Sequence, residues 1–526
     1  MSNAHSKRGM VTSPNAAASE CGVAVLRDGG TAVEAAIATC AALYVTYPHF
    51  CGLGGDVLML LSDANGKVQA VSGIGQAAQD ISGYEQGIAM RGPRSALTSA
   101  GALAALDSAW QISRDTMNGK RSWASLWDTA IDMANEGYAV SASERFWLDF
   151  RRHETQQLND VFKLFCTDGG LPEIGASRRR PDLARSLQAI AKHGARDFYE
   201  GELAAEMVRG LTAAGSPLRA KDLAATVERV EAPLYLPYRD GVLVSQPPPA
   251  QGVSTLQIMG LLAQFDLQHV PQGSADHYHL MVEAVKLAFA DRNRYLADPD
   301  FAEVPVERLL SETYLSAQAK RIDMNCAQPW PHVYQPGDTV YVAASDAAGN
   351  AASVLATVYF DWGSGVMAGD SGVIWHNRGA AFSTDPTHPN VLAPGKRPFH
   401  TLNPGMYLKQ NKPQLLFGTQ GADGQPQTLA ALLTRLIDYG MDPHSALAAP
   451  RFLLGKTFSD STDNLKIEND VPVDVLNELK RRGHALSLVE AQSPLMGHPG
   501  VIVIDGETGI MTGAHDPRSD GMAIGV

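Results

Sequence analysis

Asp338-Thr339-Val340-Tyr341-Val342-Ala343-Ala344-Ser345-Asp346, then Ala347-Ala348-Gly349-Asn350, then A-A-S-V-L-A-T-V-Y-F from Ala351 to Phe360, is the stretch on which the reading of this chain turns. Residues 339–344 and 351–360 are rich in β-branched, aromatic and small apolar side chains, and the segment 346–350 between them supplies turn formers. The pattern predicts two paired strands joined by a short loop, with Thr339 at the head of the first. A threonine that becomes the first residue of a chain carries both a hydroxyl nucleophile and an α-amino base for acyl transfer. A free α-amino group titrates at about 7.7 to 8.0, so near neutral pH a useful fraction can take the hydroxyl proton. An internal threonine has no such base. The chemistry therefore requires cleavage between Asp338 and Thr339, by attack of the Thr339 hydroxyl on the preceding carbonyl. Taken alone, strand propensity explains a threonine at this place, and the rest of the chain has to decide.

Upstream, residues 326–337 contain three prolines and no periodicity. They read as an exposed linker leading to Thr339, which cleavage would leave as a free tail. Downstream come a Gly363-Ser364-Gly365 turn, a long loop over 382–399, and a strand from Leu415 that runs into Gly418-Thr419-Gln420-Gly421-Ala422-Asp423-Gly424 before a predicted helix over 427–439. A strand-to-helix turn of this kind presents consecutive backbone N–H groups to an anion, as a tetrahedral oxyanion requires.

The bulk properties narrow the function classes. With 526 residues the chain has ample length for a large core, and 43 Lys and Arg against 56 Asp and Glu give a net charge of −13. Nucleic acid and anionic membranes call for clustered basic side chains, so neither is expected as a partner. The N-terminal segment has no apolar signal-like run, residues 35–47 are too few to cross a bilayer, and the five cysteines have no paired spacing. These features predict reduced thiols and a cytoplasmic location.

Residues 16–26 and 31–44 have helical periodicity, with Gly29-Gly30 as a C-cap between them. The glycines of Pro48-His49-Phe50-Cys51-Gly52-Leu53-Gly54-Gly55-Asp56 precede a strand and match no phosphate-loop spacing. Residues 101–210 are mostly helical, strands return over 234–244, and Pro247-Pro248-Pro249-Ala250-Gln251-Gly252 is a rigid turn before an apolar helix over 255–265. His279 and Glu283, near His277, share a helical face at i,i+4. Without a third ligand at a recognisable spacing they read as a packed helix, and neither metal nor cofactor is expected.

In order along nearly the whole chain these segments resemble the γ-glutamyltranspeptidase family of N-terminal-nucleophile hydrolases. The matching pieces include G-M-V-T-S-P at Gly9, L-R-D-G-G-T-A-V-E-A-A-I-A at Leu26, P-H-F-C-G-L-G-G at Pro48, P-P-P-A-Q-G at Pro247, E-A-V-K-L-A-F-A-D-R at Glu283, the Thr339 hairpin, K-R-P-F-H-T-L-N-P at Lys396 and D-P-R-S-D-G at Asp516. The resemblance implies an α+β fold, a four-layer αββα sandwich, made as a proenzyme that cuts itself into a large chain, 1–338, and a small chain, 339–526. It implies Thr339 as nucleophile, Thr357 as its hydrogen-bonding neighbour on the next strand, and Gly421 and Ala422 as oxyanion donors. The expected partners are a small-molecule amide and the two chains of one precursor, whose processed heterodimers can pair as a homodimer.

Departures from the family pattern point to the substrate. Where transpeptidases of the family hold an α-carboxylate with arginine, this chain has Ile74, and where they hold an α-amino group with Asn, Gln and Asp, it has Tyr359, Arg378 and Ala381. His400-Thr401 replaces the serine pair. Trp375 to Ser383, Phe399 to Pro404, Gly421 to Thr428 and Met496-Gly497-His498-Pro499-Gly500 resemble instead the branch that includes oxamate amidohydrolase, with Pro499 a local departure. The expectation is hydrolysis of a compact acidic amide such as oxamate, with Tyr359, Arg378, His400, Thr401 and Asp423 around the substrate and its carboxylate near Arg378 or His400. A γ-glutamyl hydrolase or transpeptidase, an acylase for a larger side chain, and a non-catalytic binding scaffold are the competing readings.

Overall fold

Along the strand Asp338–Asp346, Val340, Val342 and Ala344 enter one apolar cluster while Tyr341 and Ala343 enter another. In Asp56–Ser62 the same division sends Val57, Met59 and Leu61 one way and Leu58 and Leu60 the other. Strands buried on both faces lose the polar alternation of a half-exposed sheet, which is why they read as unbroken apolar runs.

The computed structural model, which describes residues 3–166, 170–330, 337–456 and 462–526, shows what fills the two sides. One seven-stranded antiparallel sheet runs in the order Met522–Gly525, Gly9–Ser13, Asp338–Asp346, Ala351–Tyr359, Asp56–Ser62, Val68–Gly73, Arg229–Glu231. A second contains Ala4–Ser6, Met511–His515, Gly500–Ile504, Lys412–Gly418, Gly405–Lys409, Gly241–Ser245 and Leu234–Tyr238. Tyr341, Leu355, Met406, Leu416 and Ile502 form the core between the sheets. Helices Ala16–Arg27, Ala32–Thr46 and Ala102–Thr116 cover the outer face of the first sheet, and Gly252–Leu262, Ala275–Tyr295 and Gly424–Leu433 that of the second. The fold is the four-layer αββα sandwich.

Helix Ala32–Thr46 is buried along its whole length because it lies between the first sheet and helices Ala102–Thr116 and Asp128–Glu136. Its start is fixed by a capping box in which the Thr31 hydroxyl accepts the Glu34 N–H at 3.2 Å and Glu34 accepts the Thr31 N–H at 2.8 Å. The preceding helix is capped by Asp28, one residue before the glycines, and Gly29 takes the left-handed turn at φ +80°. Gly418 lets the two sheets close on each other at one end, since a Cβ there would stand 2.2 Å from the Tyr341 ring. The head of Asp338–Asp346 consequently meets the end of Lys412–Gly418 across the sandwich.

In the expected linker, Cys326 is exposed, but the half-buried Trp330 donates its indole N–H to Asp463 at 2.7 Å, so the segment is docked up to there. Residues 331–336 lie outside the described residues. Cys21, Cys40, Cys51 and Cys166 are buried free thiols. Among the described residues no helix is long and apolar enough to cross a membrane.

Candidate active site

Thr339 is 1% exposed and sits where the hairpin register slips: Asp338 pairs with Tyr359, but Val340 pairs with Ala356. The extra residue on the second strand puts Tyr359 at φ +76°, a strained conformation for a non-glycine residue. The slip turns the Thr357 hydroxyl onto the Asp338 carbonyl, the group that Thr339 would attack. Thr357 Oγ1 in turn accepts the Tyr359 N–H at 2.7 Å. In the continuous chain Thr357 thus polarises the Asp338 carbonyl, and the Thr339 hydroxyl is held by Gln425, whose Nε2 donates to it at 3.2 Å.

The Asp338 carboxyl is also buried. Gln420 Nε2 donates to its Oδ1, while Oδ2 meets no partner among the described residues. Burial, and then the neighbouring Asp361 carboxylate, push it well above the usual carboxylate range.

Opposite Thr339, the strand Lys412–Gly418 ends in the turn 419–423 and helix Gly424–Leu433 begins. Gly421 lies at φ +125°, and Ala422 at φ +45°, where a Cβ is strained. Ala422 is fixed there because its carbonyl accepts Gln251 Nε2 at 2.9 Å and the Gln425 N–H at 3.0 Å. Among the described residues the N–H groups of Gly421 and Ala422 meet no acceptor. A Cβ built on Gly337 would lie 3.3 Å from the Ala422 methyl, so this turn abuts the chain just before Asp338 and Thr339.

The residues expected around the substrate divide into two groups. Arg378, in the short turn Arg378–Ala381, is fully buried with its guanidinium 3.9 Å from the centre of the Tyr359 ring, and among the described residues Nε, Nη1 and Nη2 meet no hydrogen-bond partner. Burial pushes its pKa down to about 10, against the opposing pull of Tyr359 and Asp56, so it remains a cation at neutral pH. The buried Thr401 hydroxyl likewise meets no partner among the described residues. His400 is committed elsewhere: Nε2 faces Asp56 at 3.1 Å and Nδ1 accepts the Leu402 N–H at 3.3 Å. Burial and Arg378 lower its pKa to about 3, so the ring is neutral and cannot serve as the cation for a substrate carboxylate. Asp423 is a buttress, with its two oxygens on Arg292 at 2.7 and 3.3 Å. Beside these residues a cavity of about 270 Å³ is lined by Arg292, Asn293, Ala381, Phe382, Asn390 and Phe399.

Four residues of the site escaped the sequence reading: Gln251, Gln420, Gln425 and Asp56. Asp56 accepts the N–H groups of Gly75 and Gly101 at 2.9 and 3.1 Å while facing His400. Burial works to raise its pKa, but His376 and His400 outweigh it and hold the carboxyl below its usual range. The available signal was position, since each is a polar residue inside or beside a quoted motif.

A four-layer αββα sandwich with a threonine at the head of a central strand is the architecture of the N-terminal-nucleophile hydrolases, and that is the class this fold and site define. The family model described as Gamma-glutamyltranspeptidase matches residues 18–526, and the chain belongs to that family. It is 38% identical over 524 residues to the oxamate amidohydrolase proenzyme of Klebsiella pneumoniae, covering 99% of each chain. It is also 38% identical over 528 residues to the glutathione hydrolase-like YwrD proenzyme of Bacillus subtilis, covering 98% of each. Among solved structures, cephalosporin acylase from Bacillus halodurans superposes with a TM-score of 0.92 at 31% identity, covering 100% of this chain and 97% of that one. The chain is a self-processing amidohydrolase, a C–N bond hydrolase whose precursor is cleaved into a large and a small subunit.

Proposed function

We propose that the chain cuts itself between Asp338 and Thr339, giving subunits 1–338 and 339–526, and that it then hydrolyses a compact acidic amide, oxamate or a close analogue. The observation that carries the substrate reading is the Arg378 guanidinium, fully buried with all three nitrogens unpartnered among the described residues. A buried cation costs several kcal/mol unless an anion meets it, and stacking on Tyr359 returns only about 2 kcal/mol. A carboxylate bound bidentately satisfies the fork. In oxamate that carboxylate is one bond from the scissile carbonyl, so gripping it also places the carbonyl.

In self-cleavage the Thr339 hydroxyl adds to the Asp338 carbonyl, whose oxygen receives the Thr357 hydrogen bond. The C–N bond then breaks as the nitrogen takes the hydroxyl proton, and water hydrolyses the resulting ester. The freed α-amino group becomes the base for turnover. Thr339 Oγ1 attacks the amide carbonyl, its proton passes to the amine, and the oxyanion is received by the N–H groups of Gly421 and Ala422, each worth about 3 to 4 kcal/mol. The protonated amine gives its proton to the departing ammonia. Water, deprotonated by the same amine, releases the acid and regenerates Thr339.

A γ-glutamyl substrate would bring an ammonium group, and Arg378 puts a buried cation near the place where the family pattern expects to hold one. Ammonia release from oxamate measured against nitroaniline release from a γ-glutamyl anilide tests the choice. Arg378→Ala is expected to raise KM for oxamate strongly, with Arg378→Lys intermediate because a point charge replaces the fork. An unchanged kcat/KM in Arg378→Ala would remove the assignment.

A further inference from the structure

Away from the catalytic centre, three buried side chains converge whose ligand atoms the acyl-transfer chemistry does not use. Helix Ala275–Tyr295 presents His279 and Glu283 on one face, and His484, which follows helix Val473–Arg481, meets them. The three ligand atoms lie within 4.8 Å of one another. His279 Nδ1 stands 2.8 Å from His484 Nε2. His279 turns its other nitrogen to the Asp323 carbonyl at 2.9 Å, which places the proton on Nε2 and leaves a lone pair at Nδ1. An imidazole that donates its far N–H to a backbone carbonyl is oriented as metal-ligating histidines usually are. Glu283 is oriented too, by Lys286 Nζ on Oε1 at 2.7 Å and the Gln328 N–H on Oε2 at 3.1 Å.

We propose that His279, Glu283 and His484 form a binding site for a divalent transition-metal ion, with Zn²⁺ the best match to two imidazoles and a carboxylate. In the hydrogen-bonded arrangement a single proton on His484 Nε2 bridges the rings. The ion takes its place, and His484 shifts to its other tautomer. Zn–N bonds of about 2.0 to 2.1 Å in tetrahedral geometry set the two nitrogens about 3.3 Å apart, so the rings need separate by only about 0.5 Å. Water completes the coordination.

Two cations oppose the ion and limit its affinity. Lys286 also donates to the Gln328 carbonyl at 2.6 Å, and Arg482 pairs with Asp276 at 2.5 Å and Glu478 at 2.9 Å.

His279 and Glu283 precede Thr339 and His484 follows it, so the ion would tie together what the cut separates. That consequence rests on the proposed cleavage point; metal binding itself does not. The site also fastens the stretch that leads toward the cut, through Asp323 and Gln328.

The test is titration of the full-length protein, stripped with a chelator, with Co²⁺ as a spectroscopic probe and with Zn²⁺. One ion per chain, tetrahedral visible absorption with Co²⁺ and a raised Tm with Zn²⁺ are expected. His484→Gln and Glu283→Gln should each weaken binding at least about tenfold, Lys286→Gln should tighten it, and His269→Ala, at an exposed histidine, should leave it unchanged. Wild-type protein that takes up no stoichiometric ion overturns the proposal, as does binding that survives both His484→Gln and Glu283→Gln.

Discussion

At the scale of single residues, the proposed chemistry asks Thr339 for a hydroxyl first and an amine second. Thr339→Ala keeps the strand but removes the attacking oxygen, so it should run on a denaturing gel as one full-length chain. Thr339→Ser keeps the oxygen and should still give two chains. Two chains from Thr339→Ala would refute self-cleavage at this residue. Thr339 stood out as a candidate from its place at a hairpin head, and Gly421 and Ala422 entered as candidate oxyanion donors through the family resemblance, in a glycine turn whose backbone could serve. Gln425 and Gln420 were not, because a glutamine amide gains a role only from what it faces, here the Thr339 hydroxyl and the Asp338 carboxyl. His400 and Asp423 were placed at the substrate by their motif, and their partners Asp56 and Arg292 lie hundreds of positions away from one and over a hundred from the other.

At the scale of elements, the hairpin is a pair of strands on which the proposed self-cleavage would draw. Its register slip between Asp338 and Val340 delivers the Thr357 hydroxyl to the Asp338 carbonyl, where the cut is proposed. Thr357→Val retains β-branching and shape while removing that donor, and should slow self-cleavage about 100- to 1,000-fold. Thr357→Ser should restore most of the rate; if the valine variant matures at the wild-type rate, the hydrogen bond has no catalytic role. The strand pair itself was legible from composition. The slip was not, because a bulge is set by pairing across strands.

At the scale of the whole molecule, buried histidines set the response to acid. His400, His498 and His515 are pushed down to about 3, chiefly by burial, and His49 is lowered as well. Unfolded, each titrates near about 6.5. Between about pH 6.5 and about pH 3 the unfolded chain therefore binds protons that the folded chain refuses. Stability should fall with pH through that window by up to about 1.4 kcal/mol per pH unit for each histidine. Asp56, held below its usual range, adds a loss below about pH 4. Asp338, raised above its range, works the other way and costs stability as pH rises past about 4. Urea midpoints at about pH 7 and about pH 4.5 check the balance; equal midpoints would contradict it.

The same architecture predicts that maturation leaves the molecule whole. Strand Asp338–Asp346 is paired on one side with Gly9–Ser13, from before the cut, and on the other with Ala351–Tyr359, from after it. The two chains should co-elute in gel filtration without denaturant and separate only when unfolded, and separate elution under native conditions would count against this pairing. Local patterning in the sequence determined the strands, the leading helices and the glycine turn, because propensity, periodicity and turn chemistry act over a few neighbours, whereas Thr339 became the candidate nucleophile only through the ordered family motifs along the chain. Tertiary structure alone decided that His400 faces Asp56 while Arg378 meets no hydrogen-bond partner among the described residues, and that His484 reaches His279, because those depend on distances between segments that packing brings together.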